Sequence, residues 1–212
     1  MATIIATNES TGYEPIPAGN YVARCYQMIH IGTVNELVNG ETKVMNKVRV
    51  SWELPTEMKV FKEEKGEQPS SISKEFTLSL HEKSNLRKFL AGWRGKDFTE
   101  EQAKSFDITV LLGKECMLNI IHKTSKSGKT YAEINSVSAL PKGVKCPKQI
   151  NPTFILSYDD FKQELFDVLP DFIKDKMKTS MEYKAMKNPE NHEMNDIPSG
   201  TPTPDENDDL PF

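Results

Sequence analysis

Ser127-Gly128-Lys129-Thr130 has the residue types that close a phosphate-binding loop. That loop would require its first glycine at position 123, which is Lys123 here, and a following helix whose amides converge on phosphate. The flanks read as strand and strand, so nucleotide hydrolysis is excluded. What remains is a hairpin turn, Thr124 to Lys129, with Lys123 just ahead of it and Lys126 and Lys129 within it. Such a turn suits a phosphodiester backbone, although a purely solvated turn has the same composition. His30, His81, His122 and His192 lie far apart, with neither metal-ligand spacing nor a nucleophile partner. The acid pairs Glu63-Glu64 and Glu100-Glu101 fall in a loop and at a helix start, where solvation and capping account for them. Cys25, Cys116 and Cys146 are too few and too scattered for a disulfide framework or a zinc site. No enzymatic activity and no cofactor are expected.

Other cations sit on strand patterns. Val44, Val48, Val50 and Trp52 alternate with Lys43, Lys47 and Arg49, which predicts one buried face and one cationic, wet face. Arg24 lies beside Tyr26 on the neighbouring strand, and Tyr131 follows the basic turn. A cationic groove for the backbone and aromatic faces for bases are what single-stranded nucleic acid requires. Trp52 shares its parity with Val48 and Val50, and Trp93 is in phase with Leu86 and Phe89, so both tryptophans are assigned to the core.

The elements that must position these residues follow in order. Residues 1–18 are polar and lead into a strand from Tyr21 to Ile31. Its expected faces are Tyr21, Ala23, Cys25, Ile29 and Ile31 against Val22, Arg24, Tyr26, Met28 and His30. Asn39-Gly40 signals a type I′ hairpin, which needs positive φ at both central residues. Residues 55–71 read as a long mobile loop, and Ile72 to His81 as a third strand. Ser84 caps a helix carrying Leu86, Phe89, Leu90 and Trp93, which ends near Gly95. Thr99 and Gln102 form a capping box for a short second helix. Glu115 to Lys123 and Thr130 to Leu140 are the last two strands. Five strands with a helix between the third and fourth is the ordering of an OB barrel, a partly open Greek-key barrel. Another small β-barrel or half-sandwich has the same ordering. The expected class is therefore mainly β with accessory helices.

Beyond Pro152 the pattern turns helical. Ser157 is read as the cap of a helix with the stripe Phe161, Leu165 and Val168. Pro170 breaks it, and Phe172, Ile173, Met177 and Met181 mark a second helix to about Met186. The pair docks on the barrel or on a second copy, which leaves a homo-oligomer open. The expected organisation is an OB domain over 1–150, a helical extension over 151–187, and a disordered linker with an acidic tip over 188–212.

The net charge of −4 hides an asymmetry: 15–150 carries +6, whereas 151–212 carries −8. A basic front section joined to an acidic arm fits a polyanion-binding domain. No apolar run reaches the roughly 20 residues that span a bilayer. MATIIATNEST lacks the basic start and long apolar core of a signal peptide, so a cytoplasmic location without membrane contact is expected.

The chain ends DENDDLPF, four acids followed by Leu210, Pro211 and Phe212. A terminal Phe adds nothing to a core that closed some sixty residues earlier, but it can enter a partner's pocket whose basic residues take the carboxylate. This ending resembles the acidic tip of bacterial-type single-stranded DNA-binding proteins, with Asp208, Asp209, Leu210, Pro211 and Phe212 matching and Leu standing where Ile is commoner. The segment from Leu112-Gly-Lys114 to Leu140-Pro-Lys142 is also similar to the OB-fold single-stranded DNA-binding proteins of phages and prophages. The resemblance implies sequence-independent binding and protection of single-stranded DNA in replication, recombination and repair. It also implies that the tip docks onto replication and repair proteins. The loop over 55–71 and the helical pair over 154–186 depart from the usual bacterial protein. Two alternatives share these features: a recombination mediator that loads or anneals strands, and a replisome adaptor that holds a partner without touching DNA.

The tip generates a test of its own. Deleting Asp205 to Phe212 is expected to leave the melting temperature nearly unchanged and to abolish recovery of partner proteins from extract. Phe212→Ala should have the same effect on recovery while leaving DNA affinity unchanged, since the charge is intact and one buried anchor of about 1.5–3 kcal/mol is lost. Equal recovery by wild type and both variants would reduce the tip to a frayed end.

Overall fold

A computed structural model describes residues 14–188 of the chain. Strands β1 (Gly19–Val38) and β2 (Glu41–Lys62) meet at Asn39-Gly40, whose φ values of 54° and 86° supply the two left-handed residues that the hairpin signal requires. Strand β3 (Gly66–Thr77), helices α1 (Asn85–Arg94) and α2 (Glu100–Lys104), and strands β4 (Glu115–Thr124) and β5 (Thr130–Ser138) follow. The antiparallel sheet runs β3-β2-β1-β4-β5. It curls into a half-barrel: its end strands approach each other, with Lys74 Nζ of β3 donating to the Ile134 carbonyl of β5 at 2.6 Å. The fold is thus mainly β, with its first helices between the third and fourth strands.

Local chemistry explains the helices. Ser84 Oγ accepts the Arg87 N–H at 3.2 Å and so caps α1, and Gly95 ends it at φ 71°. Thr99 and Gln102 close the expected capping box on α2. Leu86, Phe89, Leu90 and Trp93 are buried against Trp52 and Phe76. Gly92 lets α1 approach β5, since a Cβ there would stand 2.8 Å from the Val137 carbonyl oxygen.

The loop expected over 55–71 is instead a hairpin arm. A bulge between Leu54 and Met58 absorbs Pro55, Thr56 and Glu57, and the β2–β3 ladder resumes from Met58↔Pro69 to Lys62↔Gly66. A 3₁₀ turn, Glu63–Lys65, and Gly66 at φ 64° close the arm. A bulge can hold a residue that lacks an N–H, so Pro55 does not end the strand.

Strand β1 is buried on both faces, and two bulges make this so. Ala23, Cys25 and Met28 join the barrel core with Trp52, Leu54, Leu118 and Ile120. The register slips at Tyr26, so Cys25 and Met28, three apart, share that face. Ile29 and Ile31 lie on the opposite face, contrary to the simple alternation that grouped them with Cys25. A second slip at Ile31 puts Val34 beside them. One extra residue reverses every later side chain, which strict period-two counting misses.

The second face receives a C-terminal cap. Strand β6 (Phe154–Leu156) pairs parallel with β1, and helices α3 (Gln163–Asp167), α4 (Asp171–Lys178) and α5 (Met181–Lys187) follow. The residues expected as a separate helical extension thus add a strand to the same sheet first. Three short helices replace the expected two. Ser157 Oγ accepts the Asp160 N–H at 3.4 Å in a turn ahead of α3, and Ser180 breaks α4 from α5 by capping the latter. Phe166, Leu169, Ile173 and Met177 are buried on Ile29, Ile31 and Val34, whereas Val168 and Met181 are exposed. The helices dock on the chain's own sheet. Among the described residues all three cysteines are free, no cluster fits a metal ion, and no helix is long and apolar enough to cross a membrane. The tip residues Asp208, Asp209, Leu210, Pro211 and Phe212 lie outside the described residues, as does the linker from 189 onward.

Polar contacts fasten the cap. Glu182 accepts the Thr33 N–H at 2.6 Å and its hydroxyl at 2.7 Å, beside Gly32 at φ 93°, where a Cβ would come within 2.6 Å of that carboxylate. Lys176 Nζ stands 2.6 Å from Glu36 and 2.7 Å from Glu75. Burial works against the Glu182 charge, but the Thr33 hydrogen bonds outweigh it and hold the carboxyl below its usual range. Hydrogen bonding to Lys176 lowers Glu36 likewise. Carboxyls with depressed folded pKa values stabilise the fold above their unfolded pKa of about 4.3, and that stability is lost as pH falls through the folded value. The urea midpoint should therefore drop as pH falls from about 5 to about 3, and drop less in Glu36→Gln with Glu182→Gln. Parallel curves for wild type and variant would show that these two carboxyls do not fasten the cap.

Candidate functional site

A cleft of about 1100 Å³ opens where β3, α1 and β5 converge. Lys43 and Lys47 reach it from β2, Lys74 from β3, Lys83 from the turn before α1, and Lys88 from α1 itself. Among the described residues that line it, Glu75 is the only carboxylate. Phe76, Phe89 and Val137 lie beneath as part of the barrel core. Among the described residues Lys47, Lys83 and Lys88 make no ion pair, and Lys43 makes only an exposed one with Glu41 at 3.5 Å. The cleft is therefore a strongly positive concavity, whose walls are held apart by rigid strands and a capped helix.

The positive surface continues onto the β4–β5 hairpin. Glu133 on β5 lies 3.7 Å from Lys74 and 3.0 Å from Lys123, so one carboxylate spans the cleft wall and the hairpin stem. Its hydrogen bond holds the Lys123 ammonium above the usual lysine range. Tyr131 is paired with Lys123 in the ladder and is 42% exposed, which leaves a ring face open beside the cation. Beyond it Lys126 and Lys129 are exposed on the turn, where Ser125 accepts the Lys129 N–H and Gly128 has φ 81°. From Lys88 to Lys126 the track carries eight lysines against Glu75 and Glu133.

The residues that the sequence singles out are divided among three places. Lys43 and Lys47 stand in the cleft, and Lys123, Lys126, Lys129 and Tyr131 on the hairpin. Arg49 is only 21% exposed; it lies 3.4 Å from Glu75 and 5.4 Å from the ring centroid of Phe172 on α4. The β2 face read as wet is thus covered by the cap at Arg49, because the first slip of β1, at Tyr26, turns Ile29, the ladder partner of Arg49, to that side. Arg24 donates to the carbonyls of Gly113 at 2.6 Å and Pro147 at 2.9 Å and pairs with Glu115 at 3.2 Å. Its donors staple the turn before β4 to the segment between β5 and β6. Tyr26 occupies the bulge and is half-buried near Ser71, where burial pushes its phenol up. Neither Arg24 nor Tyr26 lines the cleft.

Lys74, Lys83, Lys88 and Glu75 were not anticipated. Lys74 left a readable signal: it shares strand parity with Ile72 and Phe76, both buried, so a cation interrupts an inward-facing row. Lys83 and Lys88 left none, because exposed lysines around a helix start are ordinary and only tertiary packing brings them to β2. His30 and His122 are occupied structurally, His30 contacting Asn46 at 2.7 Å and His122 the Ile16 carbonyl at 2.8 Å, whereas His81 lines the cleft and His192 lies outside the described residues. Burial pushes the Cys25 thiol up to about 12 and raises Cys116 as well, which leaves both unreactive. Compared with protein-family models and with curated protein sequences, the chain matches none.

Proposed function

We propose that the chain is an OB-fold protein that binds single-stranded DNA without regard to sequence, through the lysine cleft and the β4–β5 hairpin. The observation that carries this reading is the continuous track in which Glu133 joins the cleft lysine Lys74 to the hairpin lysine Lys123. The strand order β3-β2-β1-β4-β5, with β3 and β5 approaching at the opening, supports an OB barrel, which binds oligonucleotides on strands 2 and 3 and the adjoining loops. Phosphates follow the lysines, and Tyr131 offers a face on which a base stacks. Arg24 and Arg49 are left out of the contact set because their guanidinium groups already pair with carboxylates of the protein, and Tyr26 because it sits in the β1 bulge and does not line the cleft. In this reading the acidic tip, ending at Phe212, recruits replication and repair proteins.

A fluorescence titration with an oligo-dT strand at two salt concentrations tests the reading. If about four phosphates are neutralised, log K should fall with log salt at a slope of about −3. Lys83→Glu with Lys88→Glu should weaken binding by at least about tenfold at low salt, while stability moves by about 0.5 kcal/mol or less because both side chains are exposed. A flat salt response, or unchanged affinity in the double variant, contradicts the reading; the flat response would favour an adaptor that holds a protein partner instead.

A further inference from the structure

The one carboxylate among the described residues that line the cleft is restrained from outside it. Glu75 Oε1 lies 3.4 Å from Arg49 Nη1, and Glu75 Oε2 lies 2.7 Å from Lys176 Nζ. Both cations depend on α4. Lys176 is carried by it, and Arg49 lies against the ring of Phe172, one turn earlier on the same helix. Lys176 does not line the cleft, and its Nζ is also 2.6 Å from Glu36 on β1. Each oxygen of Glu75 therefore has one cation, and each cation is placed by the docked cap.

We propose that Lys176 is a positioning residue for the lysine cleft: by pinning and neutralising Glu75 from the cap side, it keeps that carboxylate from opposing a bound phosphate chain. This rests on the reading of the cleft as a single-stranded DNA site. Glu75 sits between the strand positions of Lys74 and Phe76, at the cleft wall, and is 24% exposed. With Lys176 absent, its Oε2 has no other cation among the described residues and is free to turn toward Lys74 and Lys47. Arg49 is then its single cation among the described residues, and the charge that Lys176 no longer offsets acts within several ångströms of the phosphates, in surroundings where one unit charge changes affinity by about fivefold at low salt. The cap thus does more than cover apolar side chains, since it sets the electrostatics of a cleft that Lys176 itself does not line.

The test compares Lys176→Met in two backgrounds, with Glu75 retained and with Glu75→Gln, by oligo-dT titration at low salt. The expected loss is about fivefold when Glu75 is present and less than about twofold when Gln replaces it, because the amide carries no charge to release. Lys178→Met supplies the control for net charge; Lys178 is exposed on α4 and pairs only with Asp175 among the described residues, and its loss should change affinity by less than about twofold. Should Lys176→Met fail to fold, Lys176→Gln keeps most of the stem and a donor without the charge, and carries the same comparison. Equal losses in both backgrounds, no loss at all, or an equal loss from Lys178→Met would each overturn the proposal. Wild type that fails to bind oligo-dT would instead overturn the reading of the cleft.

Discussion

Strand β1 must bury both of its faces, and the rest of the molecule is arranged around that demand. One face supplies Ala23, Cys25 and Met28 to the barrel, and the other supplies Ile29, Ile31 and Val34 to the cap. Each buried aliphatic side chain contributes about 1.5–3 kcal/mol, so neither core can be left open to water without a large loss. The two bulges of β1 make the arrangement compatible with one continuous strand. Gly32 belongs to the second of them, where a side chain would collide with Ser180 and Glu182.

Covering the second face decides which cations remain available. The cap takes Arg49 and Lys176 into contacts with Glu75, Glu36 and Phe172, and the segment after β5 takes Arg24. Glu53 shows the same economy in reverse. It is fully buried, yet its two oxygens accept the N–H groups of Ile150 and Asn151 and the Asn151 side chain, which ties the chain leading into β6 to β2. A buried carboxylate with several donors is tolerable, whereas an unpartnered one is costly. Lys47, Lys83 and Lys88, which have no ion pair among the described residues, line the cleft where β3, α1 and β5 converge, and their strong hydration suits exchange between solvent and a mobile polyanion.

The sequence makes the local signals plain and the long-range ones obscure. Asn39-Gly40, Ser84, Gly95 and the Thr99–Gln102 box are decided within a few residues, and each stands in the structure as its chemistry dictates. Trp52 and Trp93 were legible as core because periodicity alone places them. Bulges were not legible, since Tyr26 and Ile31 carry no mark that one residue is extra; the face of Ile29 and the cover on Arg49 were misread for that reason. The arm over 58–69 was hidden by Pro69 and by Glu63, Glu64, Lys65 and Gly66 at its turn. Half of the candidate site could be read: Lys43, Lys47 and the hairpin lysines. Lys83, Lys88 and Glu75 reach the cleft only through packing of α1 and β3 against β2 and β5.

The most direct measurement of the central claim is a lysine-acylation footprint read by mass spectrometry, with and without an oligo-dT strand at low salt. Binding in the cleft and along the hairpin predicts protection of Lys47, Lys83, Lys88, Lys123, Lys126 and Lys129, with Lys162, Lys178 and Lys184 on the cap side labelled equally in both samples. Protection confined to the cap lysines, or no difference between the samples, would contradict the assignment of the cleft as the DNA site.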